Sequence, residues 1–335
     1  MTVSVIVLAW QDEPLLAECI ASVLASTDVE LEVVLVDNGS AAVAALPEEP
    51  RVRVVRPGRN LGFAGGVNLG VERSVGDVLV LLNSDATVRP ESIATLVAAL
   101  GDHALVSGGI RLADRPELMN TVGNPVHYLG LVWAGGYGEP ATAHTEPRPI
   151  ASASGAFLAL SRREWDRLGG FPAEYFAYHE DTELSLRAWL TGGTVGFVPA
   201  AVAHHHYEFS RNPQKMVLLQ RNRWFTVLIC YPRTVLSAAL PMLLAFEVAV
   251  AALALRQGWF PGWLRAWSDV VRQRRWLRER RRECQRQAVL GPSGFARLLA
   301  DELNPGMIAL PVGTGVLNAV LRAYWRISRR LWGLG

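Results

Sequence analysis

The segment that most constrains this chain is a short, continuous apolar run over residues 78–82, followed at once by Asn83, Ser84 and Asp85. Such a run is typical of a strand buried in a parallel sheet. Ligands of open α/β sheets bind at the carboxyl ends of the strands, so an acid placed there can hold a divalent cation against a ligand's phosphates. The alternative is a simple turn, because Asn, Ser and Asp are also common turn residues.

The N-terminal part of the chain shows the same pattern of a strand that ends in an acid. Residues 3–9 predict a strand, a helical pattern begins at Pro14, and residues 31–37 predict a second strand that ends in Asp37. This order predicts a βαβ unit and a parallel sheet in an α/β fold. Small residues in the segment 60–68 then open a further helix, which suits an anion or a close ligand, although their order is not that of a dinucleotide fingerprint.

Several longer motifs carry a resemblance to a known family. In chain order they are VSVIVLAWQDEPLLAECIASVL, VVLVDNGS, NLGFAGGVNLG, VLVLLNSDATVRP, SGAFLALSRREWDRLGGFPAEYFAYHEDTELSLRAWLTGG and FVPAAVAHHHYEFS, all within residues 3–223. In this order and at these spacings the chain resembles the family 2 glycosyltransferases, in particular their rhamnosyltransferase-like branch. The resemblance implies a GT-A fold, which is a Rossmann-like mixed sheet flanked by helices. It further implies a nucleotide-sugar donor, Mn²⁺ or Mg²⁺ on a DXD-type motif, and inversion at the anomeric carbon.

The resemblance assigns roles to individual residues. Asp85 matches the last acid of the DXD-type motif, which is the metal ligand, and Asn83 stands where the first acid would be, so its amide is expected to contact the nucleotide. Asp181, with Glu180 beside it, matches the catalytic base. A further metal ligand of the family is a His after a Pro-containing strand. Of three consecutive histidines in this chain, the family spacing favours His205.

The resemblance also predicts a donor-binding surface. Asp37 matches the acid that contacts the nucleobase, whereas Ala9, Trp10 and Gln11 replace the family's Thr-Tyr-Asn after the first strand. The base-side contacts are therefore expected to differ from the family's. The predicted substrate-binding residues are Asp37, Asn38, Asn60, Gly62, Phe63, Asn68, Asn83, Ser84 and Gly155.

The chemistry of glycosyl transfer explains why these residue types are needed. The reaction passes through an oxocarbenium-like state while a nucleoside diphosphate leaves, so the site must stabilise negative charge on one side and deprotonate an acceptor on the other. A cation held by Asp85 and His205 would act as a Lewis acid on the diphosphate, and Asp181 would accept the hydroxyl proton. We expect the adjacent carboxylate of Glu180 to raise the pKa of Asp181.

Each of these features also has a structural interpretation. The acidic run 180–183 fits a first helical turn, Arg187 fits a helix-face partner of Glu183, and the histidines fit a surface or core cluster.

Two other function classes stay open. One is a nucleotide-sugar-binding protein without turnover, for which Asn83 in place of an acid is the support. The other is a dinucleotide-dependent oxidoreductase, which the absence of glycine from the first βα turn disfavours.

The C-terminal part of the chain has a different composition. Residues 234–255 are apolar and long enough to span a bilayer, but Glu247 near its centre would cost about 2.5–3.5 kcal/mol and Pro241 would kink a helix. We therefore expect a helix or hairpin in the cytoplasmic leaflet. Residues 256–286 follow with ten Arg against three acids, which suits anionic lipid, and the segment 307–332 repeats the mixture. The tryptophans expected at headgroup level are Trp259, Trp263, Trp267 and Trp276.

We expect a GT-A catalytic domain over residues 1–210 and a helical, membrane-associating region over residues 211–335. The alternatives for the latter are helices packed on the catalytic domain or an interface between copies of the chain. Three distant cysteines suggest neither disulfides nor a zinc site, so we expect the cytoplasmic face of the membrane. The expected partners are a nucleotide-sugar donor and a lipid-linked or polysaccharide acceptor. Nucleic acid is not expected, because no nucleic-acid-binding motif accompanies the Arg-rich segment.

Overall fold

The computed structural model describes residues 1–11, 13–101, 103–206, 214–304, 306 and 314–335. The strands are β1 (Val3–Ala9), β2 (Leu31–Asp37), β3 (Val52–Val55), β4 (Val78–Asn83), β5 (Ala86–Val88), β6 (Leu105–Leu112), β7 (Met119–Thr121), β8 (Val126–His127), β9 (Arg148–Pro149), β10 (Phe157–Ser161), β11 (Val195–His205) and β12 (Leu299–Ala300). The α-helices are α1 (Leu16–Leu24), α2 (Gly62–Glu72), α3 (Ser92–Ala98), α4 (Arg162–Leu168), α5 (Glu180–Leu190), α6 (Lys215–Cys230), α7 (Arg233–Gln257), α8 (Phe260–Arg272), α9 (Arg274–Arg286), α10 (Pro292–Leu298) and α11 (Thr314–Leu331). Short 3₁₀ helices cover Ala41–Ala45, Ala141–Ala143 and Ala173–Tyr175.

The main sheet is mixed, as the GT-A expectation requires. Its strands follow the order β3-β2-β1-β4-β10-β6-β11-β5, with β7 paired to β6 and β9 to β11. Strands β1 to β4 pair in parallel, whereas β10 runs antiparallel to both β4 and β6. The register sets Asp37 beside Ala9, and Asn83 beside Leu8. The carboxyl ends of β2, β1 and β4 therefore meet at one edge of the sheet.

Strand β1 shows why the sheet is covered on both faces. Its Val5 and Val7 belong to the apolar core that includes Leu16 of α1, whereas Ile6 belongs to the core on the opposite face, which includes Val67 of α2. Successive side chains of a strand point to opposite faces, so a strand that is apolar throughout must be buried on both. Burial of both faces fixes the position of β1 in the sheet, and so also the position of its end.

The glycines of α2 let this helix lie close to the sheet. A Cβ at Gly70 would come within 2.6 Å of Ile6 Cγ2, and one at Gly66 would collide with Leu8. The lack of a Cβ at Gly66 therefore allows the helix to pack on the sheet. It does not serve the ligand approach that the sequence suggested for this segment. The start of the helix differs, because Gly62 has a φ of +71° that favours glycine.

The C-terminal helices bury a second core against the sheet region. Tyr128, in the loop after β8, stacks on Trp325 of α11 with ring centroids 4.6 Å apart, and Tyr175 packs edge-on to Phe225 of α6. Strand β12 pairs with β8 and joins the two regions by backbone hydrogen bonds. The C-terminal helices thus pack on the sheet region, while the predicted boundary near residue 210 lies outside the described residues.

The apolar stretch forms one helix, α7, rather than a hairpin, and Pro241 lies inside it. By length and composition it is the one helix in the described part of the chain that could cross a membrane, which is weak evidence by itself. Leu244, Val248 and Leu255 on its outer face are 53, 72 and 62% exposed. Glu247 is buried, so it does not face lipid.

The Arg- and Trp-rich segment forms α8 and α9. Trp263 and Trp267 direct their indole N–H groups to Glu247, and Trp276 packs on Phe225, so these three half-buried rings make contacts within the protein. Their place at headgroup level stays a prediction. The fourth ring, Trp259, donates to Gln257. The exposed arginines of α9 are Arg274, Arg275, Arg278, Arg282 and Arg286.

Helix α11 is the described part of the predicted terminal segment 307–332, since residues 307–313 lie outside the described residues. Leu321 and Trp325 of α11 are buried, whereas Val320 and Ile327 are 53 and 58% exposed. The helix is therefore amphipathic, as expected, with its apolar side packed on the protein and further apolar residues on the outside.

Candidate active site

The strand ends open into a cavity of about 630 Å³ that collects most of the predicted site. Asp37 and Asn68 are not among its lining residues. Asn68 instead exchanges two hydrogen bonds with the backbone of Phe171, at 2.7 and 3.1 Å, because its position along α2 turns it toward α4. The predicted residues that do line the cavity are Asn38, Asn60, Gly62, Phe63, Asn83, Ser84, Asp85, Gly155, Glu180, Asp181 and His205.

Asp37 organises the turn after β2. Its Oδ1 accepts from the backbone N–H groups of Gly39 and Ser40 at 3.2 and 3.0 Å, and its Oδ2 lies 3.4 Å from Arg56 Nε. This carboxylate therefore shapes the rim beside the cavity. Its predicted contact with a nucleobase stays a prediction.

Asn38 and Asn60 build the entrance to α2. The Asn38 amide donates to Asn60 Oδ1 at 2.9 Å and accepts from the Leu61 N–H at 2.8 Å, while Asn60 Oδ1 also accepts from the Gly62 N–H at 2.8 Å. The two amides thus hold the loop that brings Phe63 into the cavity wall. Their first role is to position the wall that a ligand would meet.

Strand pairing brings Asp85 and His205 together across 120 residues of sequence. Strand β5 pairs antiparallel with β11, so that His205 lies opposite Ala86, and His205 Nε2 lies 3.0 Å from Asp85 Oδ1. Strand alternation turns His204 to the other face, where burial and the charges of Arg89 and Arg111 lower its pKa. The geometry therefore favours His205, as the family spacing does.

The other ring nitrogen of His205 lies 3.2 Å from Asn120 Oδ1. In the tautomer with the hydrogen on Nδ1, the ring donates to this amide oxygen and the Nε2 lone pair lies on the side of Asp85. A carboxylate oxygen and an imidazole lone pair at this separation are suited to share a cation. Carboxylate and imidazole ligands fit Mn²⁺ or Mg²⁺ when diphosphate oxygens and water supply the remaining ligands. Within the described residues, no group of three His, Cys, Asp or Glu side chains could hold a metal ion.

Asp181 lies in the first turn of α5 with its carboxylate held in a fixed orientation. Its Oδ2 accepts from the Gly155 N–H at 2.9 Å, and its Oδ1 accepts from the Thr182 N–H at 2.7 Å. Burial raises the pKa of Asp181, and these hydrogen bonds partly oppose that rise. Burial is therefore the main cause of this raised pKa, and the predicted contribution of Glu180 stays a prediction.

Glu180 is the more perturbed carboxyl of the two. Burial and the neighbouring charge of Asp181 raise its pKa well above the usual value, and its Oε2 has no hydrogen-bond partner among the described residues. Glu180 therefore favours its protonated form, which suits a neutral wall of the cavity better than a second base.

Glu183 and Arg187 form the structural pair that their spacing suggested. Arg187 Nε donates to both carboxylate oxygens of Glu183 at 2.8 and 2.9 Å, and Arg187 Nη2 also donates to the carbonyl of Gly170 at 2.7 Å. Both side chains are buried in the protein and do not line the cavity. This ion pair fixes α5 against the chain that follows α4.

The loop before α5 has an unusual backbone. Phe176, Tyr178 and His179 have φ values of +63°, +72° and +70°, which side-chain-bearing residues rarely adopt and which cost about 1–3 kcal/mol each. Asn222, which is buried on α6, donates from Nδ2 toward three carbonyls of the segment 175–178 at 2.7–2.9 Å. The C-terminal region thus holds the loop that places Asp181. No sequence motif pointed to Asn222.

His179 and Lys215 also line the cavity, although the sequence did not suggest them. Burial lowers the pKa of His179 to about 3, so its ring is neutral at physiological pH. Burial also lowers the pKa of Lys215 to about 8, and its ammonium lies 5.4 Å from the centre of the Tyr178 ring. Both flank the loop before Asp181, so the cavity offers a neutral imidazole and a weakly held positive charge near the proposed base.

Comparisons with known proteins bear on the family and the fold. The model of the family Glycosyl transferase family 2 matches residues 4–166. The chain is 28% identical over 231 residues to the N-acetylglucosaminyl-diphospho-decaprenol L-rhamnosyltransferase of Mycobacterium tuberculosis, which covers 60% of this chain and 75% of that protein.

Two solved structures share the fold. One is GalNAc-T7 with UDP, GalNAc and Mn²⁺, with a TM-score of 0.57 and 19% identity over 69% of this chain and 48% of the other. The second is S. aureus TarS 1-349, with a TM-score of 0.55 and 16% identity over 99% of this chain and 90% of the other. These likenesses show a GT-A-like mixed α/β fold. Residues 4–166 thus match a glycosyl transferase family 2 domain, and the chain is a glycosyltransferase that is similar to a rhamnosyltransferase.

Proposed function

We propose that the protein transfers a sugar from a nucleotide-sugar donor to a lipid-linked acceptor, with inversion at the anomeric carbon. The observation that carries this proposal is the position of Asp181 and of the Asp85–His205 pair in one cavity at the strand ends. The mycobacterial relative, named as a rhamnosyltransferase acting on a diphospho-decaprenol, supports rhamnose as the first sugar to test and a lipid-linked acceptor. A polysaccharide acceptor is the alternative for the same site.

Asp181 is the proposed general base. In the reaction the acceptor hydroxyl oxygen bonds to the anomeric carbon, the bond from that carbon to the donor diphosphate breaks, and the hydroxyl proton passes to Asp181. The backbone N–H groups of Gly155 and Thr182 hold its carboxylate in place, and its raised pKa makes it a stronger base. Attack on the face opposite the leaving group inverts the anomeric carbon.

Asp85 and His205 are the proposed metal ligands. The donor set fits Mn²⁺ or Mg²⁺, and a bound cation would supply Lewis-acid stabilisation of the leaving diphosphate. Asn120 keeps the His205 ring oriented through Nδ1, as partners of metal-ligating histidines commonly do. The Mn²⁺ in the GalNAc-T7 structure supports a divalent ion, and the choice between the two metals belongs to experiment.

We further propose that the protein works at the cytoplasmic face of the membrane. The outer face of α7 would lie in the leaflet, and the exposed arginines of α9 would contact anionic headgroups at about 1 kcal/mol each. Arg280 and Arg281 are excluded from this role, because they bind Glu283 and the Leu228 carbonyl. Replacing Arg274, Arg278, Arg282 and Arg286 with Gln should weaken co-sedimentation with anionic liposomes, and unchanged co-sedimentation would contradict the proposal.

The decisive experiment is a donor screen with the full chain. UDP-, GDP- and dTDP-sugars, including dTDP-rhamnose, are incubated with Mn²⁺ and a sugar–diphosphate lipid, and release of the nucleoside diphosphate is measured with and without acceptor. We expect one donor to be consumed in an acceptor-dependent manner, with loss of turnover on chelation. Donor binding without turnover under every combination would contradict the proposed transfer.

A further inference from the structure

The cavity extends well beyond the strand ends. We call the polar residues at the strand ends and at the start of α5 the catalytic edge. Besides these residues, the wall of the cavity includes apolar side chains from the loop after β8 and from the C-terminal helices. We call this part of the cavity the apolar arm. Leu253 is 47% exposed, so the arm reaches the molecular surface at this residue. The arm is defined by Val132 and Trp133 from the loop, Leu219 from α6, and Phe246, Val250 and Leu253 from α7.

Helix α7 presents two separate apolar faces. Phe246, Val250 and Leu253 follow the spacing i, i+4, i+7 and form one stripe, which lines the apolar arm. The exposed residues Val248 and Leu255 lie about half a turn around the helix from that stripe, at 100° per residue. The helix that borders the cavity therefore also carries the exposed apolar surface of the region.

We infer that the apolar arm binds the hydrocarbon chain of a lipid diphosphate acceptor, so that α7 guides the lipid from the membrane to the catalytic edge. This inference rests on the proposed function and names the acceptor class and its subsite. The sugar end of the acceptor would lie near Asp181, and the first carbons of the chain would pack on Val250 and Phe246. The rest of the chain would leave past Leu253.

A polysaccharide fits the arm less well. Aliphatic side chains such as Val132, Leu219, Val250 and Leu253 offer no partners for sugar hydroxyls, and burying a hydroxyl without a hydrogen bond is costly. A hydrocarbon chain gains affinity from the same wall, by about fourfold for each methylene removed from water. The arm reaches the surface at Leu253 of α7, the helix whose other face is apolar and exposed, and this opening supplies the path that a membrane-bound acceptor requires.

The test uses alkyl diphosphates without a sugar, so that binding can be measured even if no transfer occurs. Calorimetry compares butyl, octyl and dodecyl diphosphate, below their micelle-forming concentrations, on the wild-type protein, on Val250→Asn and on Val248→Asn. Val248 is the matched control, since it is the same residue type on the same helix, lies outside the cavity and is 72% exposed. Leu253→Asn, at a half-exposed position, is the second variant in case Val250→Asn does not fold.

We expect wild-type affinity to rise with chain length, Val250→Asn and Leu253→Asn to lose about tenfold for the dodecyl compound and little for the butyl compound, and Val248→Asn to behave as wild type. Affinity that is independent of chain length, or equal effects at Val248 and Val250, would overturn the inference. Chain-dependent binding together with no transfer to any acceptor would keep the apolar arm as a lipid site and count against the proposed function alone.

Discussion

The catalytic edge and the Glu247 cluster are two polar sites built in different ways. The edge takes Asp37, Asn83 and Asp85 from the ends of adjacent or paired strands, so backbone register places them. The Glu247 cluster is a buried carboxylate on α7 with donors from α6 and α8, and side-chain packing alone places it. Its donors are Gln220, Arg223, Trp224, Trp263 and Trp267.

The difference lies in what each site is arranged to do. At the edge, Asp181 and Glu180 keep raised pKa values and face a cavity, an arrangement that costs stability but leaves the groups available for chemistry. In the cluster, both oxygens of Glu247 accept hydrogen bonds, with the Trp263 and Trp267 indoles at 2.7 and 2.9 Å. A buried carboxylate satisfied in this way stabilises one arrangement of the helices.

The strongest effect on activity is expected at the catalytic edge. Asp181→Asn should lower turnover by about 10² to 10⁴, because the amide cannot accept the hydroxyl proton, while donor binding changes little. Asp166→Asn, at an exposed aspartate on α4, is the control and should leave kcat unchanged. Steady-state kinetics and donor calorimetry check both values. Turnover close to wild type would remove Asp181 from its role.

In the Glu247 cluster, the strongest effect is expected on stability. Glu247→Ala should lower the free energy of unfolding by about 3–5 kcal/mol, because it leaves Arg223 as an uncompensated buried charge and three indole donors with fewer partners. Chemical denaturation followed by tryptophan fluorescence measures this change. A loss below about 1 kcal/mol would mean that water solvates these groups and that the cluster does not hold the helices.

Asn222 connects the catalytic edge to the C-terminal helices. Asn222→Ala removes the donors to the carbonyls of the loop before α5, so we expect a loss of about 1–3 kcal/mol of stability and a roughly tenfold lower kcat, with the KM for donor little changed. The matched control is Asn318→Ala, since the Asn318 amide also bonds backbone groups, those of Leu303 at 2.9 and 3.0 Å, and neither residue lines the cavity. Equal kcat in the two variants would show that Asn222 is structural only.

A weaker effect is expected in the pH dependence of stability. Glu180 has a pKa raised above its usual 4.5, so the folded state favours its protonated form. The stability linked to this group is fully present below pH 4.5 and declines as the pH rises through the folded-state pKa. Glu180→Gln should therefore unfold at a higher temperature than wild type at neutral pH, and at a similar temperature in acid. The reverse pattern would contradict the burial of an unpaired carboxyl.

The sequence predicted the position of the residues at this edge because strand ends are local features. An apolar run followed by an acid specifies both the strand and the position of Asp85 at its end, and the family motif supplied Asp181 and His205. Of the two assignments that failed to reach the cavity, Asp37 organises the turn after β2, and Asn68 depends on the rotation of α2 about its axis. Packing of the buried face of α2 on the sheet sets that rotation.

The C-terminal helical region was predicted to be apolar and basic, but the packing of its helices was not predicted. In the sequence, Glu247 indicated a free-energy cost for inserting the apolar stretch into lipid. In the structure its partners lie on α6 and α8, and no periodicity in the sequence predicts these contacts. Asn222 was missed for the same reason, since its loop precedes it by about forty residues. Side-chain networks between helices leave no local pattern, whereas strand ends do.

The proposed chemistry depends most on a single cation site that strand pairing makes of Asp85 and His205 at the catalytic edge. Calorimetry tests this site directly. It measures how the donor's nucleoside diphosphate binds, with and without Mn²⁺, to wild type, His205→Ala and His204→Ala. We expect His205→Ala to weaken binding by about tenfold or more, while His204→Ala, on the opposite face of β11, stays within about twofold. Equal losses in the two variants, or wild-type binding without Mn²⁺, would contradict a cation site shared by Asp85 and His205.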